Sequence, residues 1–240
     1  MTLVRHEVQQ RALNMFSEPT YLEIGVFRGL TFHAIQAAKK VGVDPDFRFD
    51  IVQAKEQDPS SEFHAMTSDQ YFAGLDLSIK YDVVYIDGLH TFEQTLRDLM
   101  NSISHVHNDS IIIIDDIFPN SLAAALPDPN EYRAVKEYLR LPSKAWMGDV
   151  YKVVMFIDSM MQTWDFACVD DNLGQLVMWQ SPRKKVDERM ISSIGLAGYE
   201  RAIMERASFK FAPFDEIITR ISSRSWSNPA RRRRELTPQS

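Results

Sequence analysis

The chain has 240 residues, 45% of them apolar and 25% charged, and carries a formal net charge of −6. That balance suits one ordinary globular domain with a filled core and excludes a disordered or fibrous chain. The single cysteine, Cys168, rules out an intramolecular disulfide and a cysteine-built zinc cluster.

Charge is unevenly spread. From residue 220 onward, Arg220, Arg224 and Arg231 to Arg234 face only Glu235, a local +5, so the remainder carries −11. No uninterrupted apolar run approaches the ~20 residues that span a bilayer. Met1 to Glu7 lack the apolar core of a signal peptide, so no membrane partner and a cytoplasmic location are expected.

In chain order, Leu3, Val4, Val8, Ala12, Leu13 and Phe16 are spaced as one face of an amphipathic helix. Tyr21 to Gly25 reads as a short strand and turn, and Leu30 to Lys40 as a helix closed by Gly42. The polar stretch from Asp46 to Glu62 has no assignment. Phe63 to Met66 reads as a strand, with Ser68 capping a helix that runs to Leu75. Tyr81 to Asp87 is a strand, Thr91 caps the next helix, and Ile111 to Asp116 is a strand with apolar residues for both faces. Helices are expected over 131–141 and 150–161. Trp164 to Val169 and Gln175 to Trp179 form a hairpin around a five-residue loop, and helices follow over about 185–206 and 213–222.

This alternation calls for an α/β fold: a doubly wound, Rossmann-like, mostly parallel sheet with a C-terminal antiparallel hairpin. The expected organisation is one domain over 1–224, with an N-terminal helix and a C-terminal helical extension. Residues 225–240 form a basic tail, read as solvated rather than as a nucleic-acid arm because it lacks interleaved aromatics. A homodimer contact through the first helix or region 185–222 stays open.

Acid marks the strand ends. Asp87 closes one strand, with His90 three residues on, and Asp115 and Asp116 close the next. Carboxylates at neighbouring parallel strand ends converge on the crevice where open α/β sheets bind ligands, and repel unless a cation neutralises them. Glu23-Ile-Gly-Val-Phe-Arg-Gly29 places two glycines between a strand and a helix, a plain turn or a place for close ligand approach.

With Asp44, Ser68 and Asp87 each at a later strand end, residues 18–180 resemble the class I S-adenosylmethionine-dependent methyltransferases. By that resemblance Glu23, Gly25 and Gly29 surround the methionine part of S-adenosyl-L-methionine, and Asp44 accepts from the ribose hydroxyls. Met66, Thr67 and Ser68 lie near the adenine. Asp87-x-x-His90 with Asp115-Asp116 looks like the metal-dependent O-methyltransferases of catechol and macrocin type. That likeness implies Asp87, Asp115 and Asp116 as ligands of Mg2+ (or Mn2+ or Ca2+), with His90 in place of the family's lysine base. All-oxygen ligands suit those ions. An imidazole base predicts activity falling below about pH 6.5.

The expected function is methyl transfer to a hydroxyl of a small molecule, a sugar, polyketide or phenolic metabolite. The alternatives are a metal-independent N- or O-methyltransferase and a non-catalytic nucleoside-binding protein whose arginine tail engages RNA or a partner. Asp115 and Asp116 could instead cap the next turn, and His90 could bond locally at its helix start. Trp146 and Asp149 fall where an acceptor-lining loop belongs, and His33, His64, His105 and His107 match no constellation.

Overall fold

A computed structural model describes residues 3–142, 145–172, 174–186 and 188–225. Seven strands form one sheet in the order β3-β2-β1-β4-β5-β7-β6. They are β1 (Thr20–Ile24), β2 (Lys39–Val43), β3 (Ser61–His64), β4 (Tyr81–Ile86), β5 (Val106–Ile114), β6 (Trp164–Cys168) and β7 (Leu176–Gln180). The first five run parallel, and β7 is antiparallel to both β5 and β6. The fold is therefore the doubly wound, Rossmann-like one, with the hairpin adding the reversed strands.

Both faces of the sheet are covered, which explains the near-continuous apolar runs of β4 and β5. Alternate side chains point to opposite sides. Leu22, Val84, Ile86, Ile112 and Ile114 pack toward α4 (Phe92–Ile103) and α6 (Tyr151–Met160). Tyr21, Val83, Tyr85, Ile111 and Ile113 pack on the other side with Val8, Ala12 and Leu13 of α1 (Arg5–Leu13) and Ile217 and Ile221 of α9 (Phe214–Ser225). Between β5 and the hairpin stands α5 (Pro129–Tyr138), and after the hairpin come the short α7 (Ile191–Gly195) and α8 (Tyr199–Met204) where one longer helical stretch was expected.

The main departure lies between β1 and β2. Instead of a helix over Leu30 to Lys40, the chain makes one 3-10 turn, Phe32–Ala34, and re-enters the sheet at Lys39. Buried Lys40 donates from Nζ to the carbonyls of Phe32 (3.1 Å) and Ile35 (2.9 Å) and pairs with Asp58 (2.7 Å). One side chain thus serves carbonyls that a helix would have satisfied internally. Gly42 is a strand residue, not a helix end.

The unassigned stretch holds α2 (Ile51–Gln57), capped by Asp50, whose Oδ1 accepts from the N–H groups of Val52 and Gln53. The strand expected at Phe63 begins at Ser61. The cap of α3 (Ser68–Gly74) is Thr67 rather than Ser68, which frees the Ser68 hydroxyl for other work. Arg231 to Arg234 lie outside the described residues. Among the described residues no helix is long and apolar enough to cross a membrane.

Candidate active site

The carboxyl ends of β1, β2 and β4 are stitched together by backbone. Gly25 N–H donates to Val43 O (2.9 Å) and Asp87 N–H to Ile24 O (2.8 Å). Gly25 has φ +88°, and a Cβ there would lie 2.1 Å from the carbonyl oxygen of Asp87. Only glycine allows that approach. Above this edge opens a cavity of about 800 Å³, in the size range of small-molecule sites. Glu23, Gly25, Asp44, Thr67, Ser68, Asp87, His90 and Asp116 line it; Gly29, Met66 and Asp115 do not.

On the β1–β2 side of the cavity, Asp44 fastens the turn after β1. Its Oδ2 accepts from Phe27 N–H and its Oδ1 from Asp46 N–H, both at 2.7 Å. Each oxygen keeps a second lone pair for a ligand hydroxyl. Buried Glu23 accepts from the Tyr21 hydroxyl (2.7 Å), and burial pushes its carboxyl well above the usual range despite that bond. Ser68 donates to Asp98 Oδ1 (2.6 Å), which also accepts from Gln94 Nε2 (3.0 Å). Burial lifts the Asp98 carboxyl to about 6, against the pull of both bonds.

At the rim the two successive acids diverge. Asp116 has φ +57°, an unusual conformation that turns the chain sharply after β5. Asp115 continues the alternation of Ile111 and Ile113 and faces the α1 side, where Oδ2 accepts from the Tyr85 hydroxyl and lies 2.7 Å from Arg5 Nε. Asp116 faces His90, with Oδ2 2.6 Å from the imidazole Nδ1. Arg5 also lies 3.2 Å from Asp87 Oδ2 and 3.5 Å from Asp116 Oδ1. The cation that the acids demand is therefore delivered by the first helix.

Burial and the neighbouring Asp115 and Asp116 raise Asp87 well above the ordinary carboxylate range. Burial and Asp116 push Asp115 up to about 6, against Arg5 and Tyr85. Burial depresses the His90 imidazole, but Asp116 and the other acids outweigh it and the net shift is upward.

His90 is held from behind. Trp146 stacks on it at 5.3 Å between centroids and donates from Nε1 to Leu126 O (2.6 Å). Asp149 does not face the cavity; it caps α4 by accepting from Phe92 N–H at 2.7 Å. Thr91 caps the same helix, accepting from Gln94 N–H.

Sequence reasoning missed Arg5, Asp98 and Tyr85. The unneutralised acids signalled that a cation was needed, but no local spacing named Arg5.

The donor set also fits a divalent ion in part. Atoms of Asp87, His90 and Asp116 lie within 4.8 Å of one another, and His90 Nδ1 makes no directed hydrogen bond despite its closeness to Asp116. Asp115 is outside this trio, its oxygens taken by Tyr85, Arg5 and the Asp116 N–H.

Residues 22–117 match the family described as "Methyltransferase domain". Among solved structures, a protein assigned as a caffeoyl-CoA O-methyltransferase from Staphylococcus aureus is 14% identical, with a TM-score of 0.50 over 75% of this chain and 86% of that one. Cofactor-bound Rv0187 from MTB is 13% identical, with a TM-score of 0.50 over 76% of this chain and 83% of its own. At such identities these likenesses speak for the fold. No curated protein matches the sequence.

Proposed function

We propose that the protein, whose residues 22–117 match the family described as "Methyltransferase domain", is a class I S-adenosylmethionine-dependent enzyme that methylates a hydroxyl of a small molecule, with His90 as the base. The observation that carries this reading is the contact between Asp116 and His90 at the mouth of the cofactor cavity.

Transfer from a sulfonium is an in-line displacement, so the protein chiefly has to align the acceptor and receive its proton. Glu23, Gly25, Asp44 and Ser68 bind the cofactor along the strand ends. Asp116, with Oδ2 2.6 Å from Nδ1, stabilises the imidazole when it takes up a proton and leaves Nε2 for the acceptor hydroxyl. His90 Nε2 would take the proton of the acceptor hydroxyl, whose oxygen would receive the methyl group that S-adenosylmethionine supplies, with a neutral thioether left over. Phe27, Leu30 and Leu89 are exposed where they line the cavity, which favours an acceptor with an apolar body, a phenolic or polyketide hydroxyl before a bare sugar.

One observation favours a second reading, the convergence of Asp87, His90 and Asp116. Those three side chains would hold Mg2+ or Mn2+, and a bound ion makes an acceptor hydroxyl easier to deprotonate. His90 would then be a ligand, not the base.

Calorimetry with S-adenosylmethionine, followed by transfer of labelled methyl to a panel of phenols, polyketides and sugars with and without EDTA, tests both readings. Binding, transfer to a hydroxyl that survives EDTA, and its loss in His90→Ala are expected. Loss in EDTA selects the metal reading, and absence of cofactor binding rejects both.

A further inference from the structure

Arg5 lies outside the matched domain and on another element from every acid it touches. We propose that Arg5 sets the cation preference of the rim: its guanidinium serves as the resident counter-cation and keeps the site from holding a divalent ion tightly. The inference rests on the rim being the functional site proposed above.

The geometry is two-sided. Arg5 approaches Asp87 through Oδ2 and Asp116 through Oδ1, whereas His90 approaches Asp87 through Oδ1 (3.9 Å) and Asp116 through Oδ2. Asp87 and Asp116 each turn one oxygen to Arg5, itself a cavity-lining residue, and the other to the imidazole. Asp115 meets Arg5 alone of the two, and its side chain is only 1% exposed. Three carboxyl groups thus meet one permanent positive charge that cannot be titrated away.

The guanidinium is held firmly because α1 is. Val8, Ala12 and Leu13 are fully buried against the sheet, and Leu3 N–H donates to Asp171 O at 2.8 Å. On the helix surface, Gln10 exchanges hydrogen bonds with Gln36, donating to its carbonyl (3.1 Å) and accepting from its N–H (2.7 Å). A fixed unit charge beside one oxygen of each carboxylate opposes a second cation at the other.

The test is a titration with Mn2+ alone, followed by its electron paramagnetic resonance signal at mildly alkaline pH, on the full chain and on Arg5→Met and Arg5→Lys. Weak binding by the parent, binding at least tenfold tighter in Arg5→Met, and near-parental affinity in Arg5→Lys are expected from the charge removed or kept. Equal or weaker affinity in Arg5→Met overturns the proposal. So does Arg5→Lys binding as tightly as Arg5→Met, or no binding by any of the three at millimolar Mn2+. Binding of S-adenosylhomocysteine and circular dichroism report folding, and Arg5→Gln replaces the Met variant if that one does not fold. The titration needs no acceptor and no methyl transfer, so it can fail in an active protein and succeed in an inactive one.

Discussion

Gly148 closes directly on His90: at φ +61°, a Cβ on Gly148 would lie 1.6 Å from the His90 carbonyl oxygen. The N–H groups of Met147 and Gly148 both donate to Ala124 O, so the 146–149 segment is clamped over the turn that carries the imidazole. Gly148→Ala forces that clamp to lift, and the left-handed conformation alone costs about 1–3 kcal/mol. A lower urea midpoint and a fall in turnover larger than any change in cofactor affinity are expected. Unchanged turnover would show that the position of Trp146 over His90 is unimportant.

Asp44→Ala removes the acceptor for two backbone N–H groups as well as the cofactor contact proposed for it. Cofactor affinity should drop roughly tenfold to a hundredfold, in keeping with about 1.5–3 kcal/mol for hydrogen bonds lost to a carboxylate. Calorimetry with S-adenosylhomocysteine measures it.

Lys40→Met leaves the Phe32 and Ile35 carbonyls and Asp58 without their shared donor. A stability loss of about 2–3 kcal/mol is expected from the two buried carbonyls. Although burial opposes it, hydrogen bonding to Lys40, Ser60 and Ser61 holds the Asp58 carboxyl below the usual carboxylate range. A depressed folded-state pKa gives stability that is present above about pH 4 and lost as pH falls further. The variant should therefore unfold with a weaker dependence on acid than the parent, as judged by urea midpoints between pH 2 and 5.

Asp98 has the opposite sign. Burial raises its carboxyl to about 6, so the folded state holds a proton that the unfolded chain releases near pH 4. Its contribution to stability falls as pH rises between these values and stays lost above them. Asp98→Asn should gain up to about 2 kcal/mol at pH 7 without cofactor, and nothing at pH 3.5. A variant less stable than the parent at pH 7 would mean that the ionised form is favoured by the fold.

The parts legible in the sequence were those whose cause is local. The runs Val83 to Ile86 and Ile111 to Ile114 are apolar on both faces because helices cover both, and Thr91 and Asp50 cap by contact with residues two or three positions on. Asp87 and Asp116 reach the same cavity because strand polarity takes them there. The segment 30–40 misled because Phe32 and Ile35 have helical spacing, whereas Gly42 stands where Phe32, Val26 and Phe63 crowd the strand, a tertiary fact. Arg5 meets Asp87 across 82 residues. That contact leaves no trace in neighbouring letters.

The wall between β1 and β2 carries a further consequence. A bend with one 3-10 turn offers no long column of aligned peptide dipoles to greet a charged ligand. Recognition there falls to individual groups, Glu23, Asp44 and the amides they leave free. Such a wall can also be reshaped one residue at a time, since exchanging Phe27 or Leu30 unwinds nothing cooperative. Evolution of new acceptors has its shortest route along that bend.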